Sequence, residues 1–273
     1  MSDATAPPAF LPSALPQLRS VQVFGRRICY YDIGQGPPLV LVHGAGGDAD
    51  QWAFCYAGLA ARNRVIALDL LGFGRSDKPL IDYRIAGYVE VLDRFVKALA
   101  VERAAFLGHS LGGWIVAEFA LQFPQKVEKL VLNDAAGIDE GAVALPVDLR
   151  ISSRAHMRTV FECMFFDRSI VSDGLVDLAY ALHLERNDGY TIRSVLETIR
   201  DPREKLDGRI GGISVPTLLL WGEQDAITPL PMAHAYLRKI PGARLHVIPQ
   251  CGHLPPLERT REFVDAVTGF LES

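Results

Sequence analysis

Gly108-His109-Ser110-Leu111-Gly112 stands directly after the apolar run Ala104-Ala105-Phe106-Leu107 and directly before Trp114-Ile115-Val116-Ala117-Glu118-Phe119-Ala120. This order reads as a strand, a sharp turn and a helix. Glycines flanking a turn tip remove the Cβ atoms that would clash in so tight a backbone, and the residue at the tip is raised above the sheet. Ser110 is therefore a candidate nucleophile. Short patterns of this kind recur by chance, and it is the strand before and the helix after that give this one its meaning.

The same alternation extends along the chain. Short runs rich in Val, Ile and Leu recur at Ile28 to Tyr31, Leu39 to Val42, Val65 to Leu68, Val127 to Leu132, Thr217 to Leu220 and Leu245 to Ile248. They lack polar alternation, as expected of strands covered on both faces. Helical spacing lies between them, at Tyr83 to Leu99 and at Leu111 to Phe123, the latter stopped by Pro124. The pattern predicts an α/β fold with a doubly wound, mainly parallel sheet. From about Gly137 to Gly212 it lapses into helical stretches (Arg154 to Phe166, Leu175 to Glu185, Thr191 to Ile199) without a strand. The expected organisation is an N-terminal arm over 1–20, a core over 21–136 and 213–273, and a helical cap over 137–212. Such an insertion would overhang the sheet edge where open α/β sheets bind ligands.

Bulk properties narrow the function class. A chain of 273 residues, 49% hydrophobic and 22% charged, has the composition of an ordinary globular protein. Its formal charge of −4 comes from acidic and basic residues spread along the whole length. No basic block suggests nucleic acid, and no apolar run approaches the roughly 18 residues of a membrane helix. Cys29, Cys55, Cys163 and Cys251 lie far apart without a CxxC pair, which fits neither a disulfide framework nor a zinc cluster and predicts a cytoplasmic setting. The proline-rich start lacks the charged beginning and continuous apolar core of an export signal. A monomer or homodimer acting on a small molecule, with no metal or organic cofactor, is the expectation.

A serine hydroxyl needs a neighbouring base to become a nucleophile. Among the seven histidines, His253 follows the last predicted strand after Pro249-Gln250-Cys251-Gly252, which places it at the same sheet edge as Ser110. The imidazole in turn needs a carboxylate to fix its tautomer. Asp225, in Trp221-Gly222-Glu223-Gln224-Asp225, is favoured on the chain order serine, acid, histidine. Asp134 and Glu223 remain rivals, Asp134 on the same topological logic. Backbone N–H groups of Ala45 and Leu111 are expected to form the oxyanion site. His43, Gly44, His109, Phe161 and Phe165 are the candidate substrate contacts, although His43 reads better as a brace for its loop by hydrogen bonding and the cap phenylalanines read better as packing of a cap helix. Gly44, Gly46 and Gly47 do not match the GxGxxG dinucleotide pattern.

From about Val21 onward the chain resembles the α/β-hydrolase superfamily. His43-Gly44 is similar to its oxyanion loop, Asp69 to Asp77 to its loop after a strand, Gly108 to Gly113 to its nucleophile elbow and Cys251-Gly252-His253 to its histidine loop. The resemblance implies a serine hydrolase of small or medium carboxylic esters working through an acyl-enzyme. Members with aspartate at the elbow are epoxide hydrolases and haloalkane dehalogenases; Ser110 departs from them. Carbon–carbon bond hydrolases of ring-cleavage products have similar size and cap, but in their better-known branch the serine tends to follow asparagine and the histidine to precede tryptophan. Here those neighbours are His109 and Leu254. Non-catalytic ligand-binding members of the fold usually lack one triad residue, and all three candidates are present here.

Overall fold

The structure, a computed structural model, describes residues 15–273. In chain order the elements are β1 (Arg19–Val23), β2 (Arg26–Ile33), β3 (Pro38–Val42), α1 (Tyr56–Leu59), β4 (Arg64–Leu68), α2 (Ile85–Ala98), β5 (Ala104–His109), α3 (Leu111–Gln122) and β6 (Val127–Asn133). They continue as α4 (Arg154–Met164), α5 (Asp173–Arg186), α6 (Gly189–Arg200), β7 (Thr217–Gly222), α7 (Leu230–Lys239), β8 (Arg244–Ile248), α8 (Pro255–Glu258) and α9 (Thr260–Glu272). The eight strands form one sheet in the order β1-β2-β4-β3-β5-β6-β7-β8. β1 and β2 are antiparallel to their neighbours, and every pairing from β4 to β8 is parallel.

The apolar runs are explained by burial on both faces. Along β3, Val40 and Val42 enter the core shared with α2, α3 and α7. Leu39 and Leu41 enter the opposite core, shared with α1 and α9. A strand with solvent on one face would alternate; these do not, because helices cover both sides. α3 runs through the larger core with every residue from Leu111 to Ala120 buried, which is why it is apolar all round.

β1 was not foreseen from the sequence. It lies at the sheet edge and only Val23 is buried, so Arg19, Ser20 and Gln22 give it no continuous apolar signal. It also begins inside the stretch expected as an arm; residues 1–14 of that arm lie outside the described residues.

Residues 137–212 carry α4, α5 and α6 and add no strand to the sheet. α4 is capped by the Ser153 hydroxyl, which accepts from the His156 N–H at 3.1 Å, and α5 by Ser172, which accepts from the Leu175 N–H at 3.2 Å. Met157, Phe165, Val171 and Val176 make a small core of their own, with Leu254 and Leu257 packed against it. α6 behaves differently: Ile192, Val195 and Leu196 join the main core. Among the described residues no helix is long and apolar enough to cross a membrane.

Candidate active site

Ser110, Asp134, Asp225 and His253 follow the carboxyl ends of β5, β6, β7 and β8, and Ala45 follows β3. Parallel strands bring all these ends to one rim, where crevices form in sheets of this type. Ser110 occupies φ 53°, ψ −115°, a conformation that a residue with a Cβ rarely adopts. It is held there by its own N–H bonded to the Asn133 carbonyl at 3.0 Å, and by its carbonyl accepting from the N–H groups of Trp114 (3.2 Å) and Ala136 (3.0 Å). Glycine is required beside it. A Cβ on Gly108 would stand 2.2 Å from the Gly112 carbonyl oxygen, and one on Gly112 would stand 2.2 Å from that of Val42.

His253 Nδ1 lies 2.7 Å from Asp225 Oδ2, with both side chains enclosed. A carboxylate accepts, so Nδ1 carries the proton and Nε2, on the opposite side of the ring, is left basic. Asp225 Oδ1 accepts from the N–H groups of Ile227 (2.7 Å) and Thr228 (3.1 Å), and Oδ2 also accepts from the Thr228 hydroxyl at 2.6 Å. Burial opposes the charge on Asp225, but His253 and these donors outweigh it and hold the carboxyl below its usual range. Ser110 and His253 face one cavity of about 290 Å³. Their side chains are not hydrogen-bonded to each other here; such contacts commonly tighten only when substrate binds.

Asp134, the rival acid, is fully buried beside this pair. Its Oδ1 accepts from the Gly222 N–H at 2.9 Å. Burial first, then the neighbouring Asp225, drives its carboxyl well above the usual range, which opposes its charged form. Donor atoms of Asp134, Asp225 and His253 lie within 4.8 Å of one another, but the imidazole proton already occupies Asp225. Glu223, the other rival, is exposed and holds the Gln224 side-chain amide at 2.7 Å.

The loop after β3 brings Ala45 to the cavity wall. Among the described residues neither the Ala45 N–H nor the Leu111 N–H, at the start of α3, is taken up by a protein acceptor. Gly44 is needed for this approach, since a Cβ there would meet His109 Nδ1 at 2.8 Å and Ser110 Cβ at 3.1 Å. Gly44, His109, Phe161 and Phe165 all line the cavity.

Of the two roles open to His43, loop brace rather than substrate contact is the one its bonds serve, and it does not line the cavity. It is wholly buried, its Nδ1 engages the Gly44 carbonyl at 2.7 Å and its Nε2 accepts the Leu70 N–H at 2.9 Å. Both ring nitrogens are thus spent on tying the Ala45 loop to the loop after β4. Burial pulls its pKa down to about 4, and that of His109 to about 3. The Asp69 to Asp77 loop is likewise scaffolding: Arg75 bonds Asp69 at 2.8 Å and Asp50 at 3.0 Å. Cys251 is buried, and desolvation pushes its thiol far above the ordinary range.

Several contributors carried no readable signal in the sequence. Thr228 bridges Asp225 and the Asp134 carbonyl, and only its spacing of three residues from Asp225 could have suggested it. Glu258 takes the Gly252 N–H on one oxygen at 2.7 Å and the Phe166 and Asp167 N–H groups on the other at 2.8 and 3.1 Å. It joins the histidine loop to the end of α4, where the Met164 carbonyl accepts the His253 N–H at 2.7 Å. Asp48, Gln51, His183, Arg186 and Asp188 form a polar side of the cavity, opposite a largely apolar lining.

Comparison with known proteins gives the same frame. The chain is 33% identical to a 2-hydroxy-6-oxo-2,4-heptadienoate hydrolase of Pseudomonas putida, over 93% of this chain and 95% of that enzyme. Its fold superposes with TM-score 0.86 on a bacterial membrane phospholipase A, at 29% identity over 94% of this chain and 86% of the other. An esterase from Exiguobacterium antarcticum gives TM-score 0.82 at 25% identity, over 92% and 97% of the two chains. The sequence profile described as the alpha/beta hydrolase family matches residues 39–266, and the chain belongs to that family.

Proposed function

We propose that this hydrolase cleaves carboxylic esters of small or medium size with Ser110 as nucleophile. The observation that carries the reading is the shared cavity of Ser110 and His253, with the imidazole Nδ1 proton fixed on Asp225. His253 Nε2 takes the hydroxyl proton as Ser110 Oγ bonds to the ester carbonyl carbon. The N–H groups of Ala45 and Leu111, fixed before reaction begins, receive the oxyanion. On collapse the alkoxide leaves with the proton from His253, and the acyl group stays on Ser110. Water then attacks the acyl carbon, gives its proton to His253, and Ser110 recovers it as the acid departs.

The apolar lining suits an ester's hydrocarbon part: Met157, Val160, Phe161, Phe165, Ile192 and Leu257 all face the space above Ser110. Bound water has few partners on such walls, so apolar groups of the substrate gain by displacing it.

A second reading, carbon–carbon bond hydrolysis, is favoured by the relative at 33% identity whose name gives a dienoate substrate. His109 and Leu254 stand where the better-known branch of those enzymes has asparagine and tryptophan. One experiment separates the two: a chain-length series of p-nitrophenyl esters run beside 2-hydroxy-6-oxo-2,4-heptadienoate. The ester reading requires the best ester to exceed the dienoate in kcat/KM, and the reverse order would replace it.

A further inference from the structure

The polar side of the cavity contains one guanidinium, Arg186 at the end of α5, and it is already engaged. Arg186 Nη2 is in direct contact with Asp48 Oδ2, on the same loop as Ala45 and three residues beyond it. Both side chains are largely enclosed, at 16% and 4% exposure, and both residues line the cavity with Ser110 and His253. Asp50 and Asp69 are engaged by Arg75, and Asp188 lies beside His183 with its Oδ1 free of hydrogen-bond partners among the described residues. Asp50 lies 3.8 Å from Arg186 but is bonded to Arg75 at 3.0 Å and to the Tyr31 hydroxyl at 2.9 Å. Asp69 accepts from Arg75 and from the Ala49 N–H. Lys78 donates to the Gly74 carbonyl at 2.6 Å, and Asp188 lies 3.3 Å from His183.

Two guanidinium groups therefore meet Asp48, Asp50 and Asp69, with Asp188 a further buried acid on the cavity wall, and Asp48 is the one in direct contact with Arg186. A substrate carboxylate could reach Arg186 only by displacing Asp48, leaving a buried charge without its partner, or by enduring its repulsion. An uncharged substrate meets neither obstacle. We infer that Asp48 is a specificity-determining residue that makes this cavity select uncharged substrates over carboxylate-bearing ones, by occupying Arg186. The inference rests on the reading of this cavity as the substrate site.

The test uses two matched ester pairs at pH 8. One pair is p-nitrophenyl pentanoate against mono-p-nitrophenyl glutarate, charged on the acyl side. The other is methyl 4-acetoxybenzoate against 4-acetoxybenzoate, charged on the alcohol side. The expected wild-type preference for the neutral member is on the order of 10² in kcat/KM for at least one pair, as a buried-pair penalty implies. Asp48→Asn keeps the oxygen that accepts the Asp50 N–H at 2.9 Å. It should narrow that ratio by about tenfold or more, and adding Arg186→Met should abolish the gain. Ratios within about twofold of wild type in a folded Asp48→Asn protein that still cleaves neutral esters overturn the inference.

Should Asp48→Asn not fold, Arg186→Met alone decides: it exposes an unpaired Asp48, so the ratio must widen, and an unchanged ratio counts against the gate. If wild type cleaves neither neutral ester, the ester reading has failed by itself. The gate is then judged by titrating benzoate and benzamide into the Ser110→Ala protein. A benzoate affinity raised about tenfold by Asp48→Asn supports it, and equal affinity rejects it.

Discussion

His109 donates its Nε2 proton to the carbonyl oxygen of His253, 2.8 Å away. A carbonyl can only accept, so this contact fixes the His109 tautomer and leaves Nδ1 unprotonated, buried and without a protein partner. The residue before the proposed nucleophile thus holds the backbone of the residue proposed as its base, and the two ring centroids lie 4.7 Å apart.

His109→Leu should cost about 1–3 kcal/mol of stability, because the His253 carbonyl loses its buried donor. kcat/KM should fall roughly tenfold as the histidine loop loosens. The acid limb of stability must change as well. The unfolded chain takes up this proton near pH 6.5, whereas the folded protein holds His109 neutral down to about 3. Its contribution is therefore whole above about pH 6.5 and is lost as pH falls toward 3. Urea unfolding between pH 6 and 4.5 should show wild type losing up to about 1.4 kcal/mol per pH unit more than the variant. Parallel curves would contradict the buried neutral imidazole.

Asp225 and Asp134 should separate cleanly. Asp225→Asn reverses the hydrogen bond to His253 and favours the wrong tautomer, so turnover should drop by about 10⁴. Asp134 bonds the Gly222 N–H and not the imidazole, so Asp134→Asn should stay within about tenfold of wild type in kcat. Circular dichroism would verify folding in both. A loss confined to the Asp134 variant would move the acid to the end of β6.

Glu258 secures the histidine loop to the end of α4 through three backbone N–H groups. Glu258→Gln retains one acceptor but loses the charge-assisted bonds, at a cost of about 1–3 kcal/mol. Hydrogen exchange at Gly252, Phe166 and Asp167 should speed up together, with kcat lowered. Unchanged exchange at all three amides would show that the carboxylate is not the tie.

The legible and illegible parts of this sequence follow from the range of the interactions. β3 and β5, and β6 from Leu130 onward, were visible because burial on both faces forces unbroken apolar runs, and the elbow was visible because its glycines are adjacent to Ser110. β1 was hidden because an edge strand with one buried side chain needs no such run. Of the two roles open to His43, bracing its loop was readable from its place at a strand end before Gly44, and both ring nitrogens are used that way. The Asp48–Arg186 contact joins residues on separate elements, and neither has local spacing that announces the other.

The most direct measurement is labelling of the folded protein with a fluorophosphonate, followed by peptide mass spectrometry. An activated Ser110 should carry the adduct stoichiometrically, Ser110→Ala should carry none, and His253→Ala should react at least about 10²-fold more slowly. An active, folded protein whose Ser110 stays unmodified while hydrolysis continues would contradict nucleophilic catalysis at this site.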